Sequence, residues 1–139
     1  MKRTIAAVAA GFAVLAGGRY LIHSVWLAQD YLNNTNLWRP QDQMLKVLWV
    51  IYLANFLFAL GATLVYAHGV ESKPWLGQGL RFGVLLALVT GIPQSLIEYT
   101  VYSIPSELTV KWIIGEGGLA VLLGVVIAAI IKPSNGQAR

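Results

Sequence analysis

Four long apolar stretches, at residues 5–27, 45–67, 80–102 and 108–131, are separated by short polar breaks. Each is close to the ~20 residues an α-helix needs to cross a hydrocarbon core of ~30 Å. The pattern predicts an all-α integral membrane four-helix bundle, a single membrane domain over 1–139 with three connecting loops. The first stretch follows Lys2 and Arg3 and has small residues near Ala16-Gly17, which superficially resembles a cleavable secretory signal. Apolar character resumes at Tyr20-Leu21-Ile22 and runs on to Leu27, so it reads as a retained first span.

The loops are short. The first and longest, 28–43, holds Asn33-Asn34-Thr35-Asn36 and then Leu37-Trp38-Arg39-Pro40. Pro40 and Asp42 fit the start of the second helix. Trp26, Tyr31 and Trp38 suit the membrane–water boundary. The second loop, 68–78, contains Glu71-Ser72-Lys73-Pro74-Trp75. The third, 103–107, is a tight turn with Ser106 as the expected N-cap of helix four. The segment after Lys132-Pro133 reads as a short polar tail. Small residues recur every four positions at Ala9, Ala13 and Gly17, at Gly79 and Gly83, and at Ala120, Gly124 and Ala128. Such rows let helix backbones approach closely in lipid. They serve either packing within the bundle or contact with another membrane subunit.

Composition agrees with lipid as the main solvent. Hydrophobic residues make up 57% of the chain and charged residues 12%, about half the charged share usual for a soluble domain. Formal net charge is +4. The cations flank the spans, so headgroups and orientation explain them and nucleic acid is not expected as a partner. Lys2, Arg3, Lys73, Arg81, Lys132 and Arg139 fall on the side of the termini, and Arg39, Lys46 and Lys111 on the other. The bias places both termini in the cytoplasm. With no cysteine, disulfides, thiol catalysis and cysteine-ligated metal are excluded.

Arg19, His23, Glu98 and Glu116 lie within the spans, where charge is costly and marks function or pairing. Counting 1.5 Å per residue from the far ends of the helices, Arg19, Gln94 and Glu116 come to about 12–13 Å depth, Asn55 to about 16 Å, and His23 and Glu98 to about 6–7 Å. Arg19 and His23 share a helix face, as do Gln94 and Glu98. The matching depths predict an Arg19–Glu116 ion pair and a His23–Glu98 hydrogen bond. The cluster is either a polar clasp that fixes helix register or a cavity that binds or passes a solute, ion or proton. Histidine beside a carboxylate suits a proton-linked step.

Pro93 after Gly91 predicts a kink in helix three, as a plain bend or a gate. Gly115-Glu116-Gly117-Gly118 weakens helix four and admits close neighbours or water. His68 lies at the opposite face from His23, so the two do not share a metal or haem. No metalloprotease, hydrolase, phosphate-loop or dinucleotide motif is present. Tyr20, Tyr52, Tyr99, Trp49 and Trp112 are belt or core residues, with a quinone or pigment pocket as the other reading. No cofactor is predicted.

The run Gly17-Gly18-Arg19-Tyr20-Leu21-Ile22-His23-Ser24-Val25-Trp26-Leu27, with three further spans, resembles a loose group of small four-span bacterial membrane proteins. Members have a similar histidine segment ending helix one, a glycine-led third helix and a glycine-interrupted fourth. The resemblance implies a four-span fold and the bacterial inner membrane, and no activity. Where relatives often carry an acidic residue before the histidine, this chain has Arg19. The expected role is a non-enzymatic accessory or stabilising subunit of a larger membrane complex, in contact with other subunits or its own copies. The alternative is a small-solute or proton-linked transporter using Arg19, His23, Asn55, Gln94, Glu98 and Glu116.

Overall fold

A computed structural model describes residues 1–132; the expected polar tail and Arg139 fall in 133–139, outside the described residues. All elements in the described residues are helices. They are α1 (Lys2–Tyr20), continued as a π-helical segment (Leu21–Trp26), a short α2 (Ala28–Leu32) and a 3-10 turn (Thr35–Leu37). Then come α3 (Gln41–Gly69), α4 (Trp75–Val89), α5 (Gly91–Val101) and α6 (Ser106–Ile130). Lys2–Trp26, Gln41–Gly69, Trp75–Val101 and Ser106–Ile130 are each long and apolar enough to cross a membrane. In each, between 17% and 33% of the most apolar stretch is buried within the protein. Leu57, Val65, Leu88 and Val89 are among the many large side chains left outward. A surface this apolar is the kind that lipid or another protein covers. In hydrocarbon every backbone N–H and C=O must be satisfied internally, which is why such stretches coil into helices.

α6 is the hub. It packs against α1, α4 and α5, and buries Leu119, Ala120, Leu123, Gly124, Ile127 and Ala128 along one side. The closest approach is to α4, through the small residues at Gly79, Gly83 and Gly124. A methyl group built on Gly83 would lie 2.5 Å from the Val121 Cα, and one on Gly79 2.9 Å from the Val125 Cα. These two rows pack inside the bundle. The row in α1 does not: Ala9, Ala13 and Gly17 are exposed. α1 instead buries Ala7, Gly11 and Leu15, with Gly11 against Leu123 and Ala59. Four-residue spacing tells which residues share a face, not which face meets a neighbour.

Two helix starts differ from the sequence pattern, and the kink expected from Pro93 takes the form of a break. The third span starts at Trp75, because the Gln78 side chain ties down the second loop. Its Oε1 accepts the Glu71 N–H at 2.8 Å, and its Nε2 donates to the Glu71 and Lys73 carbonyls at 2.9 and 2.7 Å. The span breaks at Thr90 (φ −125°, ψ −84°). Pro93 has no N–H to give the Val89 carbonyl four residues back. Thr90 and Ser95 hydroxyls turn back onto the Leu86 and Gly91 carbonyls at 2.6 and 2.9 Å. Helix four starts at Ser106 with Pro105 as N-cap and no side-chain cap bond, so Ser106 is the first helical residue and not the cap. Pro105 suffices, since its fixed φ already fits a helix entry.

The half of α3 nearest Gln41 stands clear of its neighbours. Residues 41–54 are exposed on every face apart from a half-buried Leu48. Lower down, Asn55, Ala59, Ala62, Thr63 and Tyr66 bury against the bundle. The splayed upper half leaves a space between α3 and the other helices.

Candidate functional site: a polar cluster in a membrane cavity

The site lies at the end of the bundle where α1 gives way to α2. Arg19 is the centre of the polar cluster. Its Nε and Nη2 donate to the Glu116 carboxylate, at 3.2 and 3.0 Å to Oε2. Its Nη1 donates to Asn55 Oδ1 at 2.5 Å. Asn55 is 1% exposed, so the guanidinium joins α1, α3 and α6 through one side chain. α5 comes close to α6 at the same point, since a Cβ on Gly91 would lie 3.2 Å from the Glu116 Cβ. The matched depths of Arg19 and Glu116 do correspond to an ion pair.

The partner expected for His23 is different. His23 Nε2 meets Glu116 Oε1 at 3.0 Å, and its Nδ1 meets the Tyr31 hydroxyl at 2.5 Å. The predicted His23–Glu98 bond is absent; Glu98 accepts from Gln94 Nε2 at 2.8 Å, one turn back on α5. Two local features explain the change. Winding after Tyr20 widens to a π turn, closed by the Leu27 N–H to the Ile22 carbonyl at 2.9 Å. His23 thereby reaches the same carboxylate as Arg19. The chain then doubles back through α2 and delivers Tyr31 to the other ring nitrogen. Single π turns inside α-helices are often found at functional sites.

The Trp112 indole can only donate, and it does so to the Tyr31 oxygen at 2.8 Å. The Glu116 carboxylate can only accept, so His23 Nε2 donates to it. At Nδ1 two arrangements fit: a neutral ring accepts the Tyr31 hydrogen, and a protonated ring donates to the second lone pair of the Tyr31 oxygen. A continuous chain runs Trp112, Tyr31, His23, Glu116, Arg19, Asn55.

The first loop is a structured cap over this cluster. Asp30 accepts from Lys111 at 2.8 and 2.9 Å, clamping α2 onto α6. Tyr31 and Trp38 meet edge to face at 5.2 Å, and Trp38 and Trp112 are tilted at 6.0 Å. Leu27, Ile104, Leu108 and Trp112 form the apolar floor. Sequence reasoning assigned Tyr31 and Trp38 to the membrane boundary and passed over Asp30 and Lys111. The available signal was a pair of opposite charges near the same end of two spans.

Burial pushes the Tyr31 phenol from the usual 10.0 up to about 12, with the Glu116, Asp30 and Glu98 charges adding to the rise and the Trp112 bond opposing it. A raised phenol pKa favours the fold below pH 10 and is lost as pH climbs through about 12. Thermal melting in detergent should therefore show the cap loosening across that interval. Tyr31→Phe should shrink the alkaline drop; an unchanged drop would show that the phenol is not held in the cap.

Below the cap lies a cavity of about 880 Å³, bounded by α1, α3, α5 and α6. Arg19, His23, Gln94, Glu98 and Glu116 line it, as do Tyr31, Trp38 and Trp112. Its other walls are largely apolar, including Leu15, Phe58, Val89 and Leu119. Asn55 is not a wall residue; it sits behind Arg19. Of the five aromatic candidates only Trp112 contributes, and Tyr20, Trp49, Tyr52 and Tyr99 are exposed on the outer surface. The Gly115–Gly118 stretch is unbroken helix, with Gly115 packed on Ile22 and Trp26 and open space beside Gly117 and Gly118. His68 is at the other end, bonded to the Leu64 carbonyl at 2.8 Å. Among the described residues no group of three His, Asp or Glu side chains is placed to hold a metal ion.

No known protein family, curated protein or solved structure matches this chain. Function must be argued from the cavity itself.

Proposed function

We propose that this chain is a small-solute-binding membrane protein that takes its ligand into the capped cavity, with transport, proton-linked or not, as the associated activity. One observation carries the reading: six charged, imidazole or amide side chains, Arg19, His23, Arg39, Gln94, Glu98 and Glu116, converge on a single cavity of about 880 Å³. That volume lies within the ~300–1,000 Å³ of small-molecule sites, which are mostly apolar with a few convergent polar groups. A clasp serving only helix register needs no such space. The His23–Glu116 contact offers a proton donor and acceptor on the cavity wall. The splayed upper half of α3 supplies an entry from the side.

The setting proposed is the bacterial inner membrane with both termini in the cytoplasm, supported by the Lys and Arg bias across the span ends. The cavity then lies in the outer half of the bundle.

A second reading has its own support. The outward row of Ala9, Ala13 and Gly17 and the bare half of α3 suit contact with another membrane protein. The chain would then be an accessory subunit.

Native mass spectrometry of protein ejected from membranes separates the two. A solute carrier should emerge with a bound small molecule; an accessory subunit should emerge with a larger partner. Reconstituted into liposomes with that small molecule outside, the wild type should accumulate it. Glu116→Gln should cut the rate at least tenfold while the melting transition persists. Bare chains without ligand, or flux indifferent to Glu116, would remove the transport reading.

A further inference from the structure

Most charges at the cavity stand in close pairs, and the carboxylate that does not points to the ligand. Arg19 is neutralised by Glu116, and Lys111 by Asp30. His23 Nε2 shares the Glu116 carboxylate at 3.0 Å. Among the described residues, no Lys, Arg or His side chain lies within 4 Å of the Glu98 carboxylate, and its hydrogen-bond partner is the Gln94 amide. Glu98 is half-buried on a wall within the third span. A lone carboxylate at membrane depth is costly and usually faces a cationic partner. Arg39 also reaches the cavity, but it is exposed, and there water and salt screen it.

The cavity that Glu98 lines also carries an aromatic group. Tyr31, Trp38 and Trp112 line the same cavity with ring centroids 5.2 and 6.0 Å apart. Aromatic rings attract cations within about 6 Å of their centroids, tryptophan most strongly, and more so where water is excluded. Aromatic walls beside a carboxylate are the arrangement that receives amines and quaternary ammonium groups. The rest of the cavity is apolar, lined by side chains such as Leu15, Phe58 and Leu119. It suits a hydrophobic body attached to that charge.

We infer that the cavity binds lipophilic organic cations, with Glu98 as the counter-ion and Tyr31, Trp38 and Trp112 as the aromatic wall. This rests on the cavity being a ligand site, as proposed above. The bound cation removes the cost of an unpaired carboxylate, and the carboxylate excludes lipophilic anions that would otherwise enter from the bilayer as readily. Charge selection is thus assigned to α5, not to the Arg19–Glu116 pair, which holds the cavity in shape.

The test uses three probes of related form: tetraphenylphosphonium, tetraphenylborate and uncharged triphenylphosphine oxide. Each is titrated into the full chain in lipid nanodiscs, with empty nanodiscs subtracted for partitioning. Tetraphenylphosphonium should bind saturably and at least tenfold more tightly than either of the others. Glu98→Gln should weaken it at least tenfold, about 1.4 kcal/mol. Glu98→Asp should keep most of the affinity, and Trp38→Leu should lose part of it without gaining the anion. Glu98→Gln and Glu98→Asp should melt as the wild type does, while Trp38→Leu should melt somewhat lower but still cooperatively. If the borate or the oxide binds as tightly and Glu98→Gln changes nothing, the cavity stands but its cation selectivity is overturned. If none of the three binds saturably, the cavity reading itself falls and the inference with it.

Discussion

Replacing Gly124 by alanine will force α4 off α6 and destabilise the bundle by about 1–3 kcal/mol, the usual cost of overpacking a filled interior. A Cβ at 124 would sit 2.5 Å from the Gly79 carbonyl oxygen and 2.6 Å from the Gly83 nitrogen. Those are backbone atoms, so no side chain can swing aside. The helices must separate, and the dispersion contacts that hold apolar helices together in lipid go with them. Gly118→Ala is the control. Nothing lies within 4 Å of a Cβ there, so the change should be neutral or mildly stabilising. Unfolding in mixed micelles with increasing dodecyl sulfate reads both variants. Equal midpoints for Gly124→Ala and the wild type would mean that α4 and α6 are not in backbone contact.

What the sequence made legible follows from where the physics is one-dimensional. Lipid demands continuous apolar helices, so the four spans are visible as runs of hydrophobic residues. Helical rise converts position into depth, so Arg19 and Glu116 could be matched across α1 and α6. Depth does not give azimuth. Glu98 stands at the height expected for a His23 partner, yet bonds Gln94 on its own helix. Which carboxylate His23 reaches is set by the π turn after Tyr20 and by the return of α2, and neither has a hydrophobic signature. The cap was missed for a related reason. Tyr31 and Trp38 are amphipathic, and the same side chains serve a lipid boundary or a packed cap, in which Tyr31 is hydrogen-bonded and Trp38 contributes its rings. The Thr90 break was legible because Pro93 removes a backbone donor wherever the helix sits. The cavity was foreseen only as one of two alternatives, since it depends on how far α3 leans away from α5, a tertiary property that a residue pattern does not encode.

Arg19→Ala alone will destabilise the bundle more than Arg19→Ala combined with Glu116→Ala. Removing one partner of a fully buried ion pair costs about 3–5 kcal/mol, mostly because the other charge is left unpaired. Here the side chains keep 29% and 18% of their surface exposed to the cavity, so about 2–3 kcal/mol is the expected loss for the single change. In that variant Glu116 retains His23 as its hydrogen-bond partner, and the buried Asn55 carbonyl loses its donor. Removing Glu116 as well takes away the stranded carboxylate and leaves His23 and Asn55 for cavity water to satisfy. The double variant should therefore recover stability, with a coupling energy of at least ~1 kcal/mol, in the range found for residues in one network. Arg19→Lys separates charge from geometry. A single ammonium can meet Glu116 but lacks the planar fork that serves Glu116 and Asn55 together, so it should fall between the wild type and Arg19→Ala. Additive losses in the two single variants would show that the guanidinium and carboxylate do not depend on each other, and that α1 and α6 are held by apolar packing alone.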